Sequence, residues 1–305
     1  MSFDDAYDAL TDHDDDARWA YGTGFSDPLA GVPTAVPDGV DPADLAAYCL
    51  MLGDDALVMS HRLQQWVTRA PELEDEMALA NIGLDLLGQA RLLLSRAGEV
   101  EQAGIEQAGF ENAGGPARDE DALAYLRDPA DFRNVRLAER ADEDFAHLVA
   151  RLLVFATWRL ALLDRLTSSR DPVLAAIGAK GVKEATYHRE YAAGWVVRLG
   201  DGTDLSHTRM RAAVDAVEPP AGELFEPHEV ELRLAAAGVA VDPSALREEY
   251  DGVLAEVHRV ATLPPPPPFE AATVGAGRDG VHGPELVEIL NEMQELARAV
   301  PGGVW

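Results

Sequence analysis

The chain has 305 residues, 47% of them hydrophobic, and carries 54 acidic against 25 basic residues, a formal net charge of −29. That is ample material for a core, and the acidic excess argues against nucleic acid as a partner, since neutralising phosphate takes Lys and Arg. The single cysteine, Cys49, excludes an internal disulfide.

No uninterrupted apolar run reaches the roughly 18 residues a membrane span needs. The opening MSFDDAYDALTDHDDD lacks the basic and apolar pattern of a signal peptide. A cytoplasmic protein with no membrane partner is expected. Its basic residues are almost all arginine, the only lysines being Lys180 and Lys183. An acidic, lysine-poor surface fits a proteome adapted to high salt, where self-repulsion is screened over a few ångströms.

Residues 1–40 are rich in Asp, Gly and Pro with no sustained period, and predict an acidic, largely disordered leader. Residues 41–305 are expected to form one domain. Asp41-Pro42 reads as an N-cap followed by proline at the first helical position. The helix it starts should run to about residue 69, with Leu45, Tyr48, Leu52, Leu57, Met59, Leu63 and Trp66 available to the core and Asp54 and Asp55 in its middle.

Ala70-Pro71 breaks that helix and opens the next, over 71–96, PELEDEMALANIGLDLLGQARLLLSR, fading by Gly98. Met77, Leu79, Ile82, Leu84, Leu86 and Leu87 make it apolar on almost every side, the mark of a core helix. Asn81, Asp85 and Gln89 at i, i+4 and i+8 nonetheless draw one polar line along it. Buried polar groups cost a few kcal/mol each unless satisfied, so the core should contain something that answers the line.

Residues 104–119 predict a loop. A long helix follows over about 132–167, and Asp171-Pro172 caps a fourth that stops at Gly200. Four long helices separated by breaks make an all-α bundle the expected fold. Shorter helices are predicted over 206–217, 223–237 and 243–261, with a stiff five-proline spacer at 264–268 and a last helix over 284–299.

The fourth helix carries Lys180, Glu184 and His188 at i, i+4 and i+8. Inward carboxylates in a four-helix bundle match di-iron carboxylate proteins, whose site takes a Glu from each of two helices and a Glu-x-x-His from each of the other two. No Glu-x-x-His occurs anywhere in the chain. Tyr187 stands three residues after Glu184, with His188 one later; Gly88 stands three after Asp85. Asp144-Phe-Ala-His147 has the spacing but stands isolated near a helix start. Lys183 or Lys180 is therefore expected to supply the missing positive charge, facing Asp85 or Glu184, since a buried charge is tolerable when paired. The alternative places both lysines on the solvent face. Asp54, Asn81, Asp85, Gln89, Lys180, Lys183, Glu184 and His188 are the candidates for a vestigial polar core, with no catalytic, cofactor-binding or metal-ligating residue expected. The remaining histidines are read as structural. No nucleophile elbow, phosphate-binding loop or CxxC is present.

Four segments carry a family resemblance: MLGDDALVMSHRLQQW, APELEDEMALANIGLDLLGQAR, SSRDPVLAAIGAKGVKEATYHREYAAGWVVRLGDGTD and NEMQELARAVPGGVW. Together they resemble the C subunits of bacterial ring-1,2-phenylacetyl-CoA epoxidases, over about residues 42–305. The resemblance implies a ferritin-like four-helix bundle with additional C-terminal helices, in a multicomponent monooxygenase of phenylacetate catabolism. It also implies a related catalytic A subunit that holds the di-iron centre and binds phenylacetyl-CoA, a reductase subunit that passes electrons from NADPH, and a C subunit with no cofactor of its own that pairs with A and supports it. The family's Lys-x-x-Lys-Glu-Ala-x-Tyr-His pattern is met by Lys180, Lys183, Glu184, Ala185, Tyr187 and His188. The alternatives from the residues are a di-iron carboxylate oxygenase in its own right, using displaced ligands, and a free-standing helical binding protein.

Overall fold

The structure, a computed structural model, describes residues 29–107, 118–269, 276–301 and 303. All regular structure among them is helical. Asp41 accepts from the Ala43 N–H at 2.9 Å and, with Pro42 behind it, starts α1 (Pro42–Gln64). A turn through Pro71 leads to α2 (Leu73–Gln107). After it come α3 (Glu120–Tyr125), a 3-10 turn at Pro129–Asp131 and α4 (Arg136–Glu139). The second long pair is α5 (Phe145–Leu166) and α6 (Pro172–Gly200). α1 packs along α2, and α5 along α6. Short links join each pair, and a long crossover carries the chain from α2 to α5, as in ferritin-like bundles with one crossover.

Two sequence expectations change here. The long helix over 132–167 is interrupted, because Asp144 accepts from the His147 N–H at 3.0 Å and begins α5 only at Phe145. The Asp144-x-x-His147 spacing is thus a helix cap, with His147 Nδ1 2.8 Å from the same carboxylate. Gly98 does not end α2. A Cβ there would collide with the Arg118 carbonyl, so glycine permits a close approach and the helix continues to Gln107.

The leader expected over 1–40 falls partly outside the described residues. Of its described part, Val40 is buried, while Leu29, Val32 and Val36 pack against the core. Arg96 Nη1 donates to the Thr34 carbonyl. The loop expected over 104–119 is helical as far as Gln107, and its 108–117 stretch lies outside the described residues.

The C-terminal third adds α7 (Asp204–Val217), α8 (Glu229–Ala236), α9 (Arg247–Val260) and α10 (Pro284–Ala299). α7 and α9 lie on α5 and α6, α8 lies on α1, and α10 packs across α1 and α3. The predicted 223–237 and 243–261 helices each begin with a 3-10 segment, Pro219–Phe225 and Pro243–Leu246, and α8 is separated from the first by a His228 cap with Glu231 reaching back. Prolines at such starts remove N–H donors that a helix's first turn leaves unpaired anyway.

α5 is apolar and long enough to cross a membrane, but nearly all of it lies inside the bundle. α2 passes the same test with only half of its apolar window buried. Leu79, Ile82 and Leu86 are in the core, whereas Leu73, Met77, Leu84 and Leu87 are 67%, 60%, 60% and 39% exposed. The expectation of a helix buried on all sides fails, because only one flank of α2 meets α1 and α6.

Candidate functional site

At mid-bundle, the four long helices contribute to one polar centre. Arg159 projects from α5 and is 1% exposed. Its Nη1 donates to the Leu52 carbonyl of α1 at 3.1 Å, and its Nε and Nη2 donate to Gln89 Oε1 of α2 at 3.2 and 3.1 Å. Asp55 Oδ2 of α1 stands 3.9 Å from the same guanidinium. Gln89 turns its amide nitrogen to Glu184 Oε2 of α6 at 2.9 Å. Burial pulls the Arg159 guanidinium down to about 10, against the charge of Asp55, so it remains cationic at neutral pH.

This centre answers the polar line on α2, but only in part. Gln89 is fully engaged, and Asp85, half-buried, meets His188 Nε2 of α6 at 3.1 Å. Asn81 faces solvent. The line therefore runs from the surface into the core.

The lysine expectation holds only in part, since Lys180 faces Glu184 but from a half-exposed position. Lys183 is exposed and does not reach Asp85, whose described partner is His188. Lys180, with its side chain 38% exposed, pairs with Glu184 one turn along its own helix. The buried cations are arginines. Arg127 clasps Asp54 with both terminal nitrogens, while the Arg133 N–H donates to Asp54 Oδ2 at 2.8 Å. Arg278, far along the chain, donates to Asp55 Oδ1 and Oδ2 at 3.0 and 2.8 Å and to the Met51 and Arg133 carbonyls. Burial opposes its charge, yet Asp55, Glu231 and Glu223 outweigh that and hold it above the ordinary arginine range. Burial in turn pushes the Glu223 and Glu231 carboxyls up. A planar guanidinium can satisfy a carboxylate and two carbonyls at once, which an ammonium at the end of a flexible stem does less well.

Sequence reasoning missed Arg127, Arg159 and Arg278 as core groups. Only Arg159 left a local signal, as a charge inside the apolar run Phe155-Ala-Thr-Trp-Arg-Leu-Ala-Leu-Leu163. Arg127 and Arg278 reach the core from irregular segments, which hydrophobic periodicity cannot place.

The donor set does not fit a metal pair. A di-iron carboxylate site needs six carboxylate and imidazole ligands converging on two cations; here the buried carboxylates are engaged by separate partners. Among the described residues no three His, Cys, Asp or Glu side chains are grouped to hold a metal ion. Asp54 and Asp55 are turned towards Arg127 and Arg278, and Glu184 towards Gln89 and Lys180.

The described histidines serve the frame, while His13 lies outside the described residues. His282 bridges Glu139 Oε2 and the Phe132 carbonyl at 2.9 and 3.0 Å, tying the segment before α10 to α4. His258 bridges Glu218 Oε1 and the Pro264 carbonyl at 2.7 and 2.6 Å, anchoring the first residue of the proline run. His61 and His207 each contact one backbone carbonyl.

Comparison with known proteins gives two concordant results. Residues 33–305 match the family described as phenylacetic acid catabolic protein. The chain is 44% identical over 261 residues to the C subunit of the 1,2-phenylacetyl-CoA epoxidase of Escherichia coli (strain K12), covering 86% of this chain and 99% of that protein.

Proposed function

Because this chain belongs to the phenylacetic acid catabolic protein family, we propose that it is the non-catalytic structural subunit of a phenylacetyl-CoA 1,2-epoxidase. It pairs with a related, di-iron-bearing catalytic A subunit and holds that subunit's site in shape, with a reductase supplying electrons in the cytoplasm. The relative's name, which makes it the C subunit of an epoxidase, supports membership in such an assembly.

The observation that carries the scaffold role is Arg159. A buried cation is bonded across α1 and α2, and through Gln89 to α6, in the interior of the bundle. A core stapled in this way is suited to presenting a rigid surface, because supporting side chains fixed by packing and hydrogen bonds hold neighbouring groups in place.

The test compares purified chain, purified catalytic subunit and their mixture for iron content and for phenylacetyl-CoA oxidation with reductase and NADPH. Iron should follow the catalytic subunit, and addition of this chain should raise turnover without adding iron. About two irons per chain in this protein alone, with oxygen-dependent turnover, would replace the scaffold reading with a di-iron oxygenase.

A further inference from the structure

We propose that the outward face of α2, flanked by the α6 lysines, is the docking surface for one antiparallel helix of the catalytic subunit; this rests on the scaffold reading above. Leu73, Met77, Ala80, Leu84 and Leu87 follow steps of four, three, four and three residues. That is the heptad seam that receives a second helix, not the wider stripe that faces a globular core. Four of them are large and 39–67% exposed, and Tyr187 of α6 adds a ring that is 47% exposed. Contiguous apolar surface of this kind marks an interaction site more often than a solvated one.

A second observation is independent of the apolar side chains. Gly88 lies beside Leu84 and Leu87, and Gly194 lies on the exposed side of α6. A Cβ at either would meet nothing within 4 Å. Glycine inside a helix costs about 1 kcal/mol relative to alanine, and among the described residues no contact requires either one. Close approach of a partner's backbone would account for both.

Charge selects the occupant and its direction. The chain carries a net −29, yet both of its lysines lie on α6 beside this face, with Arg91 on the same side of α2. Lys180 is tied through Glu184 to Gln89, which places it level with the turn around Gly88. The other end of the seam carries Glu72, Glu74 and Glu76. A helix with acids in its first turn and bases in its last matches this polarity when it runs opposite to α2, because helix ends favour those charges intrinsically. A second copy of this chain would bring a further net −29 against the first.

The test is calorimetric titration of the full chain with purified catalytic subunit, beside light scattering of the chain alone. Leu84→Glu should weaken the complex at least about 30-fold, as expected of a central interface residue. Gly88→Phe should weaken it similarly while leaving the fold intact by circular dichroism, since open space surrounds that position. Leu296→Glu on α10, at a residue that is 56% exposed, should stay within about twofold, because rim and non-interface changes are near neutral. Lys183→Glu should weaken binding several-fold, and more so at low salt. Wild-type affinity in Leu84→Glu overturns the docking face. So does self-association of the chain that Leu84→Glu abolishes, which would assign the seam to a second copy. Stronger binding in Lys183→Glu overturns the charge polarity. Absence of any complex with wild type is a different failure, since it removes the scaffold reading itself.

Discussion

Arg159 gives two of its nitrogens to a single acceptor, Gln89 Oε1, at 3.2 and 3.1 Å. One α2 amide therefore holds an α5 cation on its oxygen and an α6 carboxylate on its nitrogen, so the three helices share one polar joint. Truncating either partner leaves the other buried and unsatisfied, which costs more than the bond itself contributes. Arg159→Met should destabilise the chain by about 3 kcal/mol in urea titration. Arg159→Met combined with Gln89→Leu should cost at least about 1 kcal/mol less than the two single changes summed, because contacting residues couple. Simple additivity would show that the joint is not a unit.

The two buried aspartates of α1, Asp54 and Asp55, use separate arginines, and this can be read out against the lysines. Asp55→Asn leaves Arg278 without its principal counter-charge inside the bundle and should cost about 3–5 kcal/mol. Lys183→Ala, at an exposed site, should stay within about 0.5 kcal/mol. Lys180→Ala removes a half-exposed pair one turn apart and should cost less than about 1 kcal/mol. Chemical denaturation ranks all three. A large loss in Lys183→Ala would return the buried cation to α6.

The four long helices were legible because caps and breaks are local. Asp41-Pro42 and Asp171-Pro172 act as N-caps with proline behind them, and Asp171 accepts from the Leu174 N–H at 2.8 Å. The resemblance read from the sequence is upheld by the family match. The polar centre was legible only from one side. Spacing on α2 and α6 found Gln89, Glu184, Asp85 and His188, but a side chain's partner across the core depends on tertiary register, which a single helix does not encode. Lysine rarity drew attention to Lys180 and Lys183, whereas the buried cations belong to the far commoner arginine. The exposed stripe was misread for a related reason. Met77, Leu84 and Leu87 are as apolar as core residues, and which side of α2 the bundle covers is set by tertiary packing.

Gly98 offers a test of backbone approach that is separate from the polar centre. The Arg118 carbonyl lies against its α-carbon, and backbone cannot move aside cheaply. Gly98→Ala should therefore destabilise by about 2 kcal/mol despite alanine's better helix propensity. Gly88→Ala, in open space, should stabilise by up to about 1 kcal/mol. Opposite shifts in melting temperature for two glycines ten positions apart on one helix are the expected result. Equal shifts would mean that propensity alone governs α2.

His258 carries the pH dependence most open to a sign test. Both ring nitrogens face acceptors, Glu218 Oε1 and the Pro264 carbonyl, and only the imidazolium can donate to both. Burial opposes the charge, but the hydrogen bond and charge of Glu218 outweigh it and raise the group above the ordinary histidine value of 6.5. A raised folded value means the folded state holds the proton more tightly than the unfolded chain does. The contribution is then complete below pH 6.5 and is lost as pH rises through the folded value. His258→Gln should cost about 2 kcal/mol at pH 6, the scale of a charge-assisted hydrogen bond, and the gap to wild type should shrink in alkaline buffer. Denaturant titrations of both proteins across that range measure it. A gap that widens with pH would mean that the folded protein binds the His258 proton less tightly than the unfolded chain does.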